Sequence, residues 1–136
     1  MLSLILWFLN PGVGVDLHLT ISNIQQPTGH VFIAVYDNEA AFLQIGKMRD
    51  HKIIPVHQKD PLHITFPQLP PGSYAISCFH DLNGNGKLDT NLVGIPTEPY
   101  GFSNNARPKF RAPTWMEAII YCSTASTQQT IQLDKW

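Results

Sequence analysis

The chain has 136 residues, which is long enough for one domain with a single hydrophobic core. Apolar residues make up 43% of it and charged residues only 14%, well below the roughly 25% that is usual in soluble domains. The net charge of −1 argues against a nucleic-acid partner, because phosphate binding requires a basic face.

The first nine residues form an apolar run, and Asn10 to Gly14 then interrupt it with small residues. The run is too short to span a bilayer, which takes roughly 20 residues. We therefore predict a signal peptide over residues 1–14, with a small-x-small cleavage site at Gly12 and Gly14, although no Lys or Arg precedes the run. The mature chain, 15–136, would be a single periplasmic or secreted domain without a transmembrane span. The alternative interpretation of the apolar run is a buried first strand.

Short segments of alternating or apolar residues, separated by turn residues, predict about seven strands. These are Val15 to Asn23, Val31 to Tyr36, His51 to His57, Leu62 to Phe66, Ser73 to His80, Trp115 to Cys122 and Thr127 to Leu133. The pattern favours an all-β fold, an antiparallel β-sandwich of immunoglobulin-like or transthyretin-like type, with a long loop after the fifth strand. We expect the last two strands to pair with each other.

Smaller features complete the predicted fold. Pro55 places the third strand at a sheet edge. The segment from Glu39 to Ile45 has helical composition; Asp37 and Asn38 can cap its start, and Gly46 can end it. Cys78 and Cys122 both fall in strands. A disulfide between them is possible in an exported protein, but two buried thiols are the favoured interpretation.

The long loop runs from Asp81 to Pro113 and is the anomaly of the sequence. Structureless loops longer than about 12–15 residues are uncommon and are usually functional or disordered. This loop contains apolar residues that we expect to fold back onto the sandwich: Leu88, Leu92, Val93, Ile95, Tyr100 and Phe102. Such a loop needs an anchor, and a bound cation at its base would supply one.

The start of this loop resembles half of a calcium loop. Oxygen-bearing side chains stand at relative positions 1, 3, 5 and 9, with Gly86 at position 6, and the predicted ligands are Asp81, Asn83, Asn85, the carbonyl of Lys87, and Asp89. Position 12, where an EF-hand has Glu, is Leu92, so Thr90, Asn91 or Glu98 would have to complete the set. The low charge predicts weak Ca²⁺ binding, with Kd on the order of 10⁻⁴ to 10⁻³ M.

The alternative for this segment is a bare turn. Asn and Gly both tolerate the positive φ angles of tight turns, and Asp81 and Asp89 would then bond loop amides. A structural module without metal would hold the loop through hydrogen bonds and the side chains of Tyr100 and Phe102. If the Phe102 ring is buried, Phe102→Ala should then cost roughly 3–5 kcal/mol.

A second candidate site follows in the same loop. Its ligand or partner residues would be Tyr100, Phe102, Ser103, Asn104, Asn105 and Arg107, and an envelope carbohydrate or protein is the expected partner. Arg107 suits an anion because its guanidinium can make a two-pronged contact. The alternative is structural: the two Asn residues bond loop backbone, and Arg107 pairs with Asp81, Asp89 or Glu98.

Catalytic patterns are weak. The six histidines have neither H-x-H nor HExxH spacing, and no G-x-S-x-G motif is present. A carbohydrate-acting hydrolase would need two acids across a cleft, for which Asp81 or Asp89 with Glu98 or Glu117 are the candidates. We expect a non-enzymatic protein.

Four stretches together resemble a known family: FPQLPPGSY at 66–74, CFHDLNGNGKLDT at 78–90, GIPTEPYGFSNNA at 94–106 and PTW at 113–115. The segment GHVFIAVYD at 29–37 fits as well. The chain resembles the domain-of-unknown-function 2141 family (DUF2141) of bacterial envelope proteins. The resemblance implies a small exported β-sandwich and brings no established catalytic residues. One departure is Pro99, where the family often has glycine, and this stiffens the loop.

Overall fold

The structure is a computed structural model that describes residues 14–123 and 125–136. Apart from Gly14, the predicted signal peptide lies outside the described residues. In the described ranges, no helix has the length and apolarity that crossing a bilayer requires.

Two β-sheets face each other. The strands in the described residues are β1 (Val15–Ser22), β2 (His30–Tyr36), β3 (Asp50–Pro55), β4 (Leu62–Leu69), β5 (Gly72–Asp81), β6 (Tyr100–Phe102), β7 (Ile120–Cys122) and β8 (Ser126–Gln132). The first sheet has the order β4-β1-β8, and the second has the order β3-β2-β5, with β6 and β7 both pairing with β5. This confirms the predicted sandwich, the position of β3 at an edge, and the long loop after the fifth strand.

The main core lies between the sheets because the strands alternate apolar and polar side chains. On β1 the buried residues Leu17, Leu19 and Ile21 face inward, and Phe66 of β4 is also fully buried. The second sheet is also partly covered on its outer face. Its outer face packs a smaller cluster around Ala34, Tyr36, Phe42, Ala75 and Ala118.

The strand β8 departs from the predicted antiparallel arrangement. It pairs with β1 in parallel, with Leu17 opposite Thr127 and Ile21 opposite Ile131. The prediction that the last two strands pair with each other is wrong, since β7 pairs with β5. The chain between β7 and β8 moves from the second sheet to the first, so β8 enters its sheet in the direction of β1.

The segment predicted as a strand from Trp115 to Cys122 begins as a helix, α1 (Trp115–Ala118). Thr114 and Glu117 form a capping box: the Glu117 N–H donates to the Thr114 hydroxyl at 3.3 Å, and the Thr114 N–H donates to Glu117 Oε1 at 3.0 Å. A capping box satisfies two amides that helix formation would leave unpaired, so it starts a helix even when the following residues suit a strand. The strand occupies only Ile120–Cys122.

The helix predicted from Glu39 to Ile45 is replaced by a series of turns. Asn38 does cap the segment, since its Oδ1 accepts the Ala41 N–H at 2.9 Å. Leu43, however, has a φ angle of 60°, which no right-handed helix accommodates. The turns place Phe42 edge-on against both Tyr36 and Trp115, with ring centroids 5.5 and 5.9 Å away.

Both cysteines are buried free thiols, as the sequence favoured. Cys78 Sγ lies 3.6 Å from the carbonyl oxygen of Gly101. Burial, the dominant cause, raises the pKa of the Cys78 thiol to about 12, so the sulfur is protonated at neutral pH and is a poor nucleophile.

Candidate functional site

The long excursion after β5 has two parts. Strand β6 pairs with β5, with Ser77 opposite Phe102 and Phe79 opposite Tyr100, and a 3₁₀ turn at Ser103–Asn105 follows. The prediction of an excursion without strands is therefore wrong in its middle. What remains is residues 82–99, here called the first loop segment, and residues 106–114, the second loop segment.

Asp81 is the end of β5 and is buried, with 5% of its surface exposed. Its carboxylate accepts the N–H groups of Asn85 at 3.2 Å and Gly86 at 2.8 Å. The amide oxygens continue the pattern: Asn83 Oδ1 accepts the Asn85 N–H at 3.3 Å, and Asn85 Oδ1 accepts the Lys87 N–H at 3.1 Å. The polar side chains thus wrap the chain into a compact loop.

Asp89 closes this loop. The side-chain N–H groups of Asn83 and Asn85 both donate to its carboxylate, Asn83 at 2.6 Å from Oδ2. The four side chains predicted as ligands, those of Asp81, Asn83, Asn85 and Asp89, are therefore joined in one network. In this arrangement the amides present nitrogen, rather than oxygen, to Asp89. A cation beside Asp89 would require those amides to turn.

Glu98 is a buried brace for the first loop segment, with 4% of its surface exposed. Its Oε2 accepts the Leu82 N–H at 2.7 Å and its Oε1 accepts the Asp89 N–H at 2.9 Å. One carboxylate thus joins the beginning and the end of the candidate calcium loop. These contacts argue against Glu98 as an additional calcium ligand, because both of its oxygens already accept backbone N–H groups.

Asn91 and Thr90, which were also proposed to complete the calcium ligands, stabilise a turn instead. Asn91 Oδ1 accepts the N–H groups of Val93 at 2.9 Å and Ile95 at 3.0 Å. Thr90 forms an isolated bridge with Pro96. Both residues therefore shape the tip of the first loop segment.

The carboxylates of Asp81, Asp89 and Glu98 lack a cationic partner among the described residues, whose two ion pairs are Arg49–Asp37 and Arg111–Glu117. Buried carboxylates usually have a cation, several hydrogen bonds, or both. The described residues also contain no cluster of three or more Asp, Glu, His or Cys side chains that could hold a metal. A hard cation here would therefore depend on amide and carbonyl oxygens as well as the two aspartates, which Ca²⁺ accepts.

Three residues of the predicted ligand loop have structural contacts. Ser103 is fully buried, and its hydroxyl accepts the Ile76 N–H at 2.9 Å and donates to the Ala118 carbonyl. Asn104 donates to the carbonyl of Ile119 at 2.8 Å, and Asn105 Oδ1 accepts the Gln132 N–H at 2.9 Å. Both asparagines tie the turn to backbone outside their own loop, Asn104 to the end of the helix and Asn105 to β8.

Arg107 does not pair with an acid. Its guanidinium donates to the carbonyls of Tyr100 at 2.9 Å, of Asp134, and of Lys135 at 3.2 Å. Its central carbon lies 4.1 Å from the centroid of the Tyr100 ring. The predicted pairing with Asp81, Asp89 or Glu98 is therefore wrong. Arg107 instead fastens the residues after β8 to β6.

An apolar groove of about 630 Å³ lies between the two loop segments, over the outer face of β5 and β6. Tyr100, Phe102 and Arg107 were predicted as ligand residues and do line it. Sequence reasoning missed the other walls, which include Leu43, Phe79, Pro108, Phe110, Arg111 and Trp136. The alternation of β5 could have indicated Phe79, because Phe79 lies on the opposite face of the strand from the core residues Tyr74, Ile76 and Cys78.

The mouth of the groove is apolar and exposed. The prediction that Leu92 and Val93 fold back onto the sandwich is wrong, since both side chains face solvent. Phe110 is 86% exposed, has a φ angle of 65°, and lies edge-on to Trp136 with centroids 5.3 Å apart. A bulky residue with positive φ is strained, and such strain clusters at binding sites.

The acids proposed for hydrolysis have other partners. The Arg111 guanidinium beside Glu117 is the main cause that lowers the pKa of that carboxyl to about 2, with the Thr114 amide assisting. Glu117 is thus ionised at neutral pH, whereas a general acid needs a raised pKa. Among the described residues, none of those lining the groove is an Asp or Glu.

Comparison with known proteins gives one match. A family model described as "Uncharacterized protein conserved in bacteria (DUF2141)" matches residues 19–130. No curated protein and no solved structure matches the chain. The matched region contains β2 to β7, both loop segments, the candidate calcium loop and most of the groove. The chain belongs to the DUF2141 family.

Proposed function

We propose that this protein is a non-enzymatic exported domain of the bacterial envelope, periplasmic or secreted, that binds an apolar ligand in the groove between its loop segments. The observation that carries this proposal is the groove itself. Its volume of about 630 Å³ lies within the range of small-molecule sites. Its aromatic and aliphatic lining, with few polar groups, matches their composition.

The exposed rim adds to this argument. Phe110 and Trp136 stand at the groove mouth, and the solvent-facing Val93 lines the opposite segment. Apolar side chains grouped around a concave surface mark ligand or partner sites, whereas scattered ones need no explanation. A ligand in the groove would cover part of these side chains.

We further propose that Ca²⁺ organises the first loop segment, which forms one wall of the groove. Asp81, Asn83, Asn85, Asp89 and the carbonyl of Lys87 would hold the ion, with Glu98 as the brace behind them. The support is the number of oxygen atoms in one network and the three carboxylates without a cationic partner in the described chain. The ion would supply positive charge and fix the loop.

The groove can be tested with N-phenyl-1-naphthylamine, a neutral dye that fluoresces in apolar sites. We expect saturable binding to the protein. Phe110→Asp should weaken that binding roughly threefold to tenfold, because it removes apolar contact area at the rim. Asp also tolerates the positive φ of this position better than most residues do.

The matched control for Phe110→Asp is Ile45→Asp. Ile45 is 99% exposed and is not among the lining residues of the groove. Equal dye binding by the two variants and the unmodified protein would contradict a groove site.

Calcium binding predicts a change in thermal stability. With Kd near 10⁻⁴ to 10⁻³ M, Ca²⁺ at ten to one hundred times Kd should stabilise the folded protein by about 1.4–2.7 kcal/mol relative to EDTA. Differential scanning calorimetry measures this as a higher melting temperature. Asp81→Asn and Asp89→Asn should each remove most of the increase.

Asp50→Asn is the control for these variants, because Asp50 is exposed and pairs with Val35, whereas Asp81 pairs with His30 at the other end of β2. It should keep the full response to Ca²⁺. A melting temperature that is equal in Ca²⁺ and EDTA would reject the calcium proposal. That result would support the alternative, a loop held by its own hydrogen bonds, such as those from the Asn83 and Asn85 amides to Asp89.

A further inference from the structure

We infer that the ligand of the groove is a free amphiphile with a single anionic headgroup, such as a carboxylate on an apolar chain. This inference rests on the proposed groove function and adds the chemical class of the ligand. The charged side chains that line the groove are Arg107 and Arg111. An apolar site whose charged groups are all positive is complementary to an apolar molecule that carries a negative charge.

Arg107 is the residue that this inference depends on. It is half-buried and has no ion pair among the described residues. Its partners are the carbonyls of Tyr100, Asp134 and Lys135, and the face of the Tyr100 ring. Carbonyl and ring contacts orient a guanidinium but do not cancel its charge. Arg107 therefore keeps a fixed orientation and a net positive charge at the groove wall.

Arg111 differs from Arg107 in this respect. Its Nη1 lies 2.6 Å from Glu117 Oε1, and Nη2 lies 3.3 Å from Oε2, so a carboxylate already neutralises it. Its side chain is also 54% exposed, which leaves its charge screened by water. We assign the anion-binding role to Arg107, with Arg111 at the rim.

The apolar part of the ligand would lie against the aromatic and aliphatic residues of the lining. Leu88, Ile95, Phe79 and Phe102 line it and are all half-buried, so they present apolar surface without being sealed in the core. A volume of about 630 Å³ suits one small chain molecule. The lining of the groove thus combines an apolar surface with one positive group, Arg107, that no carboxylate neutralises.

The test uses the unmodified protein and three ligands with the same chain. Dodecanoate, dodecan-1-ol and dodecyltrimethylammonium would each be titrated against bound N-phenyl-1-naphthylamine, with the two ions below their micelle-forming concentrations and the alcohol below its solubility limit. We expect dodecanoate to bind about tenfold more tightly than the alcohol, and the ammonium to bind more weakly than both. The preference for dodecanoate should shrink as salt is raised, because added ions screen the charge.

Substitutions at the two arginines test which of them supplies the positive charge that binds the headgroup. Arg107→Gln should abolish the preference for dodecanoate over the alcohol, while Arg107→Lys should retain part of it. Arg111→Gln is the matched control and should retain nearly all of it. Arg107 also holds carbonyls near the end of the chain, so Arg107→Gln could fail to fold. In that event the headgroup series and its salt dependence on the unmodified protein decide the question.

The outcomes separate the ligand class from the groove itself. Equal displacement of the dye by dodecanoate and dodecanol would overturn the anionic class while the proposed groove stands. Absence of dye binding, or of displacement by any of the three ligands, would overturn the groove and this inference together. Binding to anionic phospholipid vesicles without displacement by free dodecanoate would also overturn it, in favour of a membrane surface.

Discussion

Gly29→Ala is expected to lower the free energy of unfolding by roughly 2–5 kcal/mol. Gly29 has a φ angle of 68°, which costs an alanine about 1–2 kcal/mol. A Cβ atom on Gly29 would also lie 2.1 Å from the carbonyl oxygen of Asp81, a clash that the rigid backbone of β5 cannot avoid by rotating a side chain. Chemical denaturation at equilibrium measures the loss.

This change should also disturb the start of the first loop segment. Asp81 is the first candidate calcium ligand, and its backbone must shift to admit the new methyl group. We therefore expect Gly29→Ala to reduce any stabilisation by Ca²⁺ as well as the stability in EDTA.

Gly46→Ala is the matched control for Gly29→Ala. Gly46 has a similar φ angle of 79°, but a Cβ there would meet nothing within 4 Å. Gly46→Ala should lower the free energy of unfolding only by the cost of the positive φ angle, about 1–2 kcal/mol. Equal losses in the two variants would show that the close approach of Gly29 to Asp81 does not contribute.

Glu98→Ala should destabilise the first loop segment by at least about 3 kcal/mol, because two hydrogen bonds to a charged group are lost and each contributes about 1.5 kcal/mol or more. The N–H groups of Leu82 and Asp89 would lose their acceptor. Hydrogen exchange followed by NMR is the appropriate measurement, since the loss can appear as local opening of the loop. Both amides should exchange on the order of one hundredfold faster.

Two comparisons make the Glu98 result specific. Glu39→Ala removes an exposed carboxylate elsewhere and should leave the exchange of both amides unchanged. Glu98→Gln keeps one acceptor oxygen but places an NH₂ group against an N–H donor, so it should show a smaller but measurable loss. Unchanged protection of Leu82 and Asp89 in Glu98→Ala would contradict the role of Glu98 as a brace.

The first five strands could be predicted from the sequence because each follows a simple rule. β1 alternates apolar and polar residues throughout, and a turn at Pro70 and Pro71 separates β4 from β5, which begins at Gly72. The later elements depend on contacts that no local pattern shows. β6 has three residues and exists because it pairs with β5, and β8 lies beside β1 because the chain changes sheets before it.

The candidate site was predicted in part. The spacing from Asp81 to Asp89 predicts a tight loop with inward polar side chains, and hydrogen bonds do link these residues. The brace role of Glu98 and the groove were not predictable, because both depend on how residues far apart in sequence meet. Phe102 is half-buried, so Phe102→Ala should cost less than a core phenylalanine would.

The parallel pairing of β1 with β8 has a consequence for how the chain folds. β1 occupies the centre of the first sheet, between β4 and β8, so that sheet is incomplete until residues 126–132 have been synthesised. Closing so long a loop has a large entropic cost before any contact compensates for it, which slows folding. Before β8 is available, β1 can pair only with β4, from which β2 and β3 separate it along the chain. The first sheet therefore reaches its final three-stranded pairing only after the last strand of the chain is available.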